Sequence, residues 1–478
     1  MRPSHIEARQ RLLAVLRRQG PSAAAALAEA LSVSRATLLR MLDEQADALV
    51  ASGAARRRRY AVRRGLRGDA GGVPVHRVDA EGGVHAAGVL HLTEPEGSCW
   101  ALDEALWPAP PEARDGWWSG LPYPLQDLRF QGYMGRQFAR RHHDDLALPA
   151  DVRDWSDDDH LWALTRAGHD APGDLIVGEA ALRRWLAQVR DADLIAEADA
   201  APAYAALAEA AVATGVAGSS AAGEFPKFTA RRTLAGADTP EVIVKFSGAD
   251  DSPAVRRWAD LLHGEHLALQ TLAEVSDLPV ARSRLLRHGG RTFLESERFD
   301  RHGPRGRRPV VSLAALDAEV LGQGHSHWPR LARALVALGW LSPDDAIRIT
   351  RLHWFGRFIA NTDMHTGNLS FMPEGGRLRL APVYDMLPMR YAPLAGGEVP
   401  PLEAGEPPPP LPQEREDAER AARWATAFWL RVTEAHGLSE GMRRLGQEQA
   451  RRLRSRYPAG DTSGIGAVGG PPAGAGSP

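Results

Sequence analysis

A chain of 478 residues, 44% hydrophobic and 25% charged, is too long for one domain and too ordinary in composition for a fibrous or disordered protein. It has no apolar run of about 18 residues, which argues against a transmembrane helix, and its single cysteine, Cys99, excludes an internal disulfide framework or a cysteine-based zinc site. The net charge of -2 hides a split, because residues 1–67 carry fourteen Arg against five Asp or Glu, a head of +9 on a body of -11.

Arg9, Arg11, Arg17 and Arg18 interrupt the apolar residues of the N-terminus, which therefore lacks the apolar core of a signal peptide; a cytoplasmic location and no membrane partner are expected. Apolar spacing at Ile6, Leu12, Leu13 and Leu16 predicts an amphipathic helix that stops at Gly20-Pro21. Ser22 caps a second helix with Leu27 and Leu31, and Ser34 a third with Leu38, Leu39, Met41 and Leu42. With the run Arg56 to Arg59 before Tyr60-Ala61-Val62 as a wing, residues 1–66 read as a winged helix-turn-helix. Its expected contacts to duplex DNA are Ser34, Arg35 and Thr37 at the head of the third helix and Arg56, Arg57, Arg58 and Arg59 on the wing.

Residues 65–72 read as a linker. From 73 to 200, short strand-like runs mix with Trp- and Pro-rich connections and with helices near 127–140 and 180–189, and the pattern alone assigns this part no activity.

The 58 Lys and Arg include only two lysines, Lys227 and Lys245. Lys supplies phosphate with a compact point charge where Arg offers a planar fork, so their closeness in sequence marks a nucleotide-binding segment. Lys227 lies in a stretch rich in small residues, 218–228, that is either a phosphate-cradling loop or a plain turn. Lys245 sits in the apolar strand Val242-Ile243-Val244-Lys245-Phe246, as the phosphate-positioning lysine of a kinase does. The helix that follows carries Glu265, either a partner of Lys245 or an exposed helix residue. A hairpin around His288-Gly289-Gly290 then leads to Glu297-Arg298-Phe299-Asp300, where a two-lobed kinase has its hinge.

Ser342-Pro343-Asp344-Asp345 opens a helix that delivers Asn361 and Asp363 at its end. Asp363 and Asn368, followed by Asp385 after the apolar run 378–383, form the carboxylate and amide set of phosphoryl transfer. Asp363 takes the proton of the attacking hydroxyl, while Asn368 and Asp385 suit Mg²⁺. Beyond lie a Pro-rich exposed loop at 400–413, a charged amphipathic helix at 414–454 and a Gly-, Ala- and Pro-rich tail, 458–478, expected to be disordered.

Five motifs, Ser220-x-x-Gly223-x-x-x-Lys227, Val-Ile-Val-Lys245, Glu297-Arg298-Phe299-Asp300, Asn361-x-Asp363-x-His365-x-x-Asn368 and Val383-Tyr384-Asp385, resemble those of the HipA family of bacterial serine/threonine kinase toxins. The resemblance implies an α+β, two-lobed protein-kinase-like fold related to phosphatidylinositol kinases, here preceded by the winged helix. Its parts would be an N-terminal subdomain at 73–200, a kinase N-lobe at 201–300 and a helical C-lobe at 301–454. It implies ATP and Mg²⁺ as cofactors, protein Ser/Thr as acceptor with aminoacyl-tRNA synthetases among known targets, and a separate antitoxin as partner. Carried over, Lys245 and Asp363 are catalytic, and Lys227, Lys245, Glu297, Phe299, Asp300, His365 and Asn368 bind the nucleotide. Asn368 and Asp385 bind metal, and Ser220, with Ser219 as second candidate, is autophosphorylated. Phe225-Pro226 and Gly367 depart from the family pattern, and the fused winged helix is similar to that of the YjjJ-type subgroup. Two other functions stay open: a DNA-binding transcription regulator whose kinase fold senses nucleotide or phosphorylation, and a small-molecule kinase.

Overall fold

The computed structural model describes residues 5–190, 193–213, 224–324 and 327–458. The expected autophosphorylation sites Ser219 and Ser220, and the tail from 459 onward, lie outside the described residues.

At the N-terminus the helices His5–Gln19, Ala24–Leu31 and Arg35–Asp43 are followed by an antiparallel hairpin of Leu49–Ser52 and Arg59–Arg64. Their apolar stripes close a small core of Leu12, Leu16, Leu27, Leu31, Leu38, Met41, Leu42, Leu49 and Val62. Leu39, expected on the same stripe, faces solvent at 43% exposure.

Residues 65–72 are a pinned corner and not a loose linker. The amides of Leu66 and Asp69 each donate to the other's carbonyl, at 2.9 and 3.1 Å. Arg67 donates to the Ala147 carbonyl at 2.9 Å and pairs with Asp159 at 2.8 Å. The strand Arg59–Arg64 continues the ladder into Val84–Thr93 through Arg63 opposite Thr93. An edge of unpaired N–H and C=O groups seeks a partner, so the head and the middle region share one sheet. In the middle region Val84–Thr93 pairs with Val73–Val78, which pairs with Leu175–Val177. The helix expected near 127–140 is Gly132–Leu146. Asp127 lies before it, with its carboxylate accepting from the Ser312 amide at 2.5 Å and hydroxyl at 2.6 Å.

A second sheet, four antiparallel strands, carries the kinase-like N-lobe: Ser283–His288, Arg291–Glu297, Glu241–Phe246 and Lys227–Arg231, in that spatial order. Side chains of a strand alternate between faces. Val242, Val244 and Phe246 thus pack under the helix Ala200–Ala213 through Tyr204, Ala208 and Ala211. Lys245 is left on the opposite face, over which runs the long helix Pro253–Val275, capped by Ser252 with Pro253 first.

The C-lobe is built from Trp328–Ala337, Pro343–Phe358, Arg415–Glu434 and Glu440–Arg456 around a small sheet of Val311–Ser312, Ser370–Glu374 and Arg377–Leu380. The single helix expected at 414–454 is two. Ser439 caps the second by accepting from the Met442 amide, and its own amide and hydroxyl donate to Asp260 at 2.8 and 2.5 Å. The strand expected at 378–383 stops at Leu380. Pro382 has no N–H to extend a ladder, and Val383 instead bridges Val280 of the other lobe, its amide donating to the Pro279 carbonyl at 2.8 Å. No helix among the described residues is long and apolar enough to cross a membrane.

Candidate active site

The helix Pro253–Val275 presents Glu265 to Lys245, and both carboxylate oxygens lie 2.7 Å from Nζ. Nζ also donates to Asp385, which arrives from the C-lobe. Burial works against the Lys245 charge, but the Asp385 and Glu265 carboxylates outweigh it and raise its pKa. Burial raises Glu265, with Lys245 opposing and Asp385 adding. For Asp385 burial is again the opposing influence, and Lys245 followed by Lys227 keeps its pKa below the ordinary value. Asp385 has a φ of +53°, a left-handed conformation that Asp tolerates better than most residues.

The helix Pro343–Phe358, capped by Ser342, ends where Ala360 turns at a φ of +62° into the loop carrying Asp363 and Asn368. Three amide contacts shape the loop. The Asp363 amide donates to Asn361 Oδ1 at 3.0 Å, Asn368 Nδ2 donates to the Asp363 carbonyl at 2.8 Å, and Asn361 Nδ2 donates to the Asp385 carbonyl at 3.2 Å. The exposed Asp363 carboxyl is left to outside partners. Burial of its surroundings raises its pKa, with Asp385 and Glu224 adding and His365 and Lys227 opposing, which makes it the better proton acceptor.

The other expected nucleotide contacts are placed less uniformly. Lys227 pairs with Glu224 at 2.9 Å, and Glu224 also takes Arg136 of the middle region at 3.1 Å. His365 Nδ1 accepts from the Gly367 amide at 3.1 Å as the cap of a short turn. A Cβ at Gly367 would lie 2.9 Å from that ring. Phe225 is buried against Trp258, ring centroids 4.6 Å apart, and lies 5.9 Å beneath the Lys245 ammonium. At the expected hinge the Phe299 ring lies 5.7 Å from Tyr384, while the Glu297 amide is spent on the Arg282 carbonyl at 2.9 Å.

Asp300 faces away from this cleft. It is buried and accepts from Arg298 at 2.9 Å, Arg301 at 2.6 Å and the Gly173 amide at 2.9 Å, so its carboxylate braces the middle region and is not directed at a nucleotide. Burial opposes its charge, yet Arg298 and Arg301 hold its pKa well below the carboxylate range.

In the N-terminal head, Ser34 Oγ is taken as the helix cap, accepting from the Thr37 amide at 3.2 Å and lying 2.9 Å from Thr37 Oγ1. Arg35 and Arg56 to Arg59 are exposed. Arg57 leans on Asp115 at 3.5 Å and Arg58 lies 5.7 Å over the Tyr60 ring.

Residues 70–186 match the family model described as YjjJ-like toxin, middle domain, and residues 219–455 match that of the HipA-like C-terminal domain. Toxin YjjJ of Escherichia coli (strain K12) is 36% identical over 447 residues, covering 91% of this chain and 96% of its own. The chain belongs to the HipA family of toxins, in its YjjJ-like branch. The fold of this HipA-family toxin is similar to that of HipA solved with HipB and operator DNA from Shewanella oneidensis MR-1. The TM-score is 0.51 at 16% identity, over 80% of this chain and 96% of that one. A weaker likeness is to the Helicobacter pylori proinflammatory kinase CtkA, with TM-score 0.34, 12% identity, and 49% and 88% coverage.

Sequence reading gave no role to several residues that shape this site. Asn361 ties the Asp363 loop to Asp385, and the Tyr384 hydroxyl donates to the Gly367 carbonyl at 2.8 Å. The usable signal for Asn361 was an Asn two residues before Asp363, the spacing of an Asx turn. Nothing local marked Glu224 or Arg136. Among the described residues no three His, Cys, Asp or Glu side chains converge as a metal cage. Asp385 and the oxygen of Asn368, whose Nδ2 is already committed, still fit Mg²⁺, which takes much of its shell from water and phosphate.

Proposed function

We propose that the chain is an ATP-dependent serine/threonine protein kinase of the HipA type, attached to a DNA-binding head. The observation that carries this reading is the meeting of Lys245 with both Glu265 and Asp385, beside a loop that presents Asp363 and Asn368. Lys245 serves the nucleotide phosphates, and Glu265 keeps it extended toward them. Mg²⁺ bound with ATP supplies charge neutralisation at the transferred phosphate, and Asn368 and Asp385 would hold it. Asp363 accepts the proton of the acceptor hydroxyl as that oxygen bonds the γ-phosphorus and ADP departs. Lys245 pairs with Asp385, which ties the strand of the nucleotide lysine to the residue that would hold the metal.

The family resemblance supports protein Ser/Thr as acceptor, an aminoacyl-tRNA synthetase as target, and Ser220 or Ser219 as an autophosphorylation site. The test is incubation of the chain with labelled ATP and Mg²⁺ beside Asp363→Asn, with phosphoserine mapping. Absence of any Asp363-dependent label on the chain or a synthetase overturns the reading.

A second, compatible reading is that residues 1–66 form a winged helix-turn-helix that binds duplex DNA, making the chain a regulator whose kinase fold senses nucleotide. The exposed Arg35 and Arg56 to Arg59 support it, and the relative solved with HipB and operator DNA makes DNA and an antitoxin reasonable partners. Binding to a duplex of its own promoter that weakens with salt is expected; salt-independent or absent binding rejects it.

A further inference from the structure

A cavity of about 510 Å³ opens on the C-lobe side of Asp363, within the roughly 300–1,000 Å³ range of ligand sites. Lys245, Glu265 and Asp385 do not line it, whereas Asn361, Asp363 and His365 do, so it adjoins the Lys245 cluster through the Asp363 loop. His353 and Arg357, four residues apart on one helix face, form one wall, Arg390 and Gln449 another, and the Pro-rich segment 405–408 the third.

That segment is strapped down, contrary to the exposed loop its composition suggests. The Tyr391 hydroxyl donates to the Glu403 carbonyl at 3.0 Å, Arg452 pairs with Glu406 at 2.9 Å, and the Tyr457 hydroxyl donates to the Pro408 carbonyl at 3.3 Å. The cavity is therefore a built shape.

Glu406, Gln449 and Asn361 on its lining have partners, and two arginines are left open. The guanidinium groups of Arg357 and Arg390 are exposed on its walls with no carboxylate partner among the described residues. His353 is 4% exposed, yet neither ring nitrogen has a hydrogen-bond partner. Burial, with His327 and Arg357 adding, pushes its pKa down to about 3, so the ring is neutral at pH 7 and adds no charge to this wall. The His353 ring nitrogens are closed off from the cavity, so the groups that face an occupant are the two arginines, and paired guanidinium groups call for an anionic one.

We propose that this cavity seats the acceptor segment of the protein substrate, and that Arg357 and Arg390 select a Ser or Thr flanked by Asp or Glu. The proposal rests on the protein-kinase reading: the acceptor hydroxyl must come within about 2.6–3.2 Å of Asp363, and Asp363 is part of the cavity wall. Neighbouring carboxylates of the same segment then reach the two guanidinium groups, which bind them in paired hydrogen bonds.

The test uses three fluorescent Ser-centred peptides, identical except for flanking Glu, Ala or Lys, titrated against the full chain by anisotropy, with phosphate transfer from labelled ATP measured in parallel. The Glu peptide is expected to bind about tenfold tighter than the Lys peptide, with affinity falling as salt rises. The pair Arg357→Glu and Arg390→Glu should reverse the order. The milder Arg357→Gln and Arg390→Gln pair should bring the three within about twofold of one another. Equal binding by the unaltered chain, or an order unchanged by charge reversal, overturns the proposal. Transfer of phosphate without acidic preference overturns it while the kinase reading stands. Acid-selective binding without transfer to any acceptor sinks the kinase reading, and the acceptor role with it.

Discussion

Replacing Lys245 with Met keeps an unbranched stem but removes the ammonium, leaving Glu265 at 1% exposure without a counter-charge. Two oxygens at 2.7 Å and an effective dielectric of about 20 put the lost attraction at about 6 kcal/mol. Part of that returns when Glu265 takes up a proton, so the net loss should be about 3–5 kcal/mol, as for other half-removed buried pairs. Asp385, with 25% of its side chain exposed, can rehydrate. The loss has a pH sign. Without Lys245, the Glu265 pKa rises further above its ordinary value, so the deficit is small below about pH 4, where the carboxyl is protonated folded or unfolded, and grows as pH rises. Adding Glu265→Leu removes the stranded charge and should bring the double variant to within about 1–2 kcal/mol of the unaltered chain. Because several domains need not unfold together, the assay is native-state hydrogen exchange over Glu241–Phe246 and Pro253–Val275, which reports local opening energies. Single-variant losses that add to the double-variant loss within about 0.5 kcal/mol, or a deficit indifferent to pH, would refute the pairing as an energetic unit.

Asp363→Asn should slow phosphate transfer about 10²–10⁴-fold with the melting temperature unchanged, because backbone groups at 363 make the loop's contacts; a collapse of stability would contradict this. At Asp385, where φ is +53°, Asn should be accommodated while Val adds about 1–2 kcal/mol of strain, and equal thermal melts for the two variants would oppose that account. Asp300→Asn should cost about 3 kcal/mol at neutral pH. The folded-state pKa of Asp300 is depressed, so its contribution is present above about pH 4 and lost as pH falls. Hydrogen-exchange rates around Gly173 should therefore converge between variant and unaltered chain on acidification, and a constant gap argues otherwise. Alanine at Arg56 to Arg59 should lower the slope of log affinity for duplex DNA against log salt by up to about 0.9 per phosphate contact. An unaltered slope would count against the wing. Arg56 and Arg59 should matter most, since Arg57 and Arg58 already have neighbours.

Signals that act over a few residues were legible in the amino-acid order. Ser342-Pro343 starts a helix where expected, and the period-two burial of Val242, Val244 and Phe246 sends Lys245 to the other face. The spacing of Asp363 and Asn368 places both on one loop. Those outcomes follow from backbone hydrogen bonding and side-chain periodicity, which are local. What each polar face meets depends on packing between distant segments. Glu265 closes on Lys245, Asp300 turns to Gly173, the 414–454 helix breaks where Ser439 meets Asp260, and segment 405–408 forms one wall of a cavity with Arg357 and Arg390 on others. A sequence pattern states that a side chain is charged or apolar; only the folded chain supplies the partner, because burial energies are settled between surfaces that the order of residues leaves unpaired.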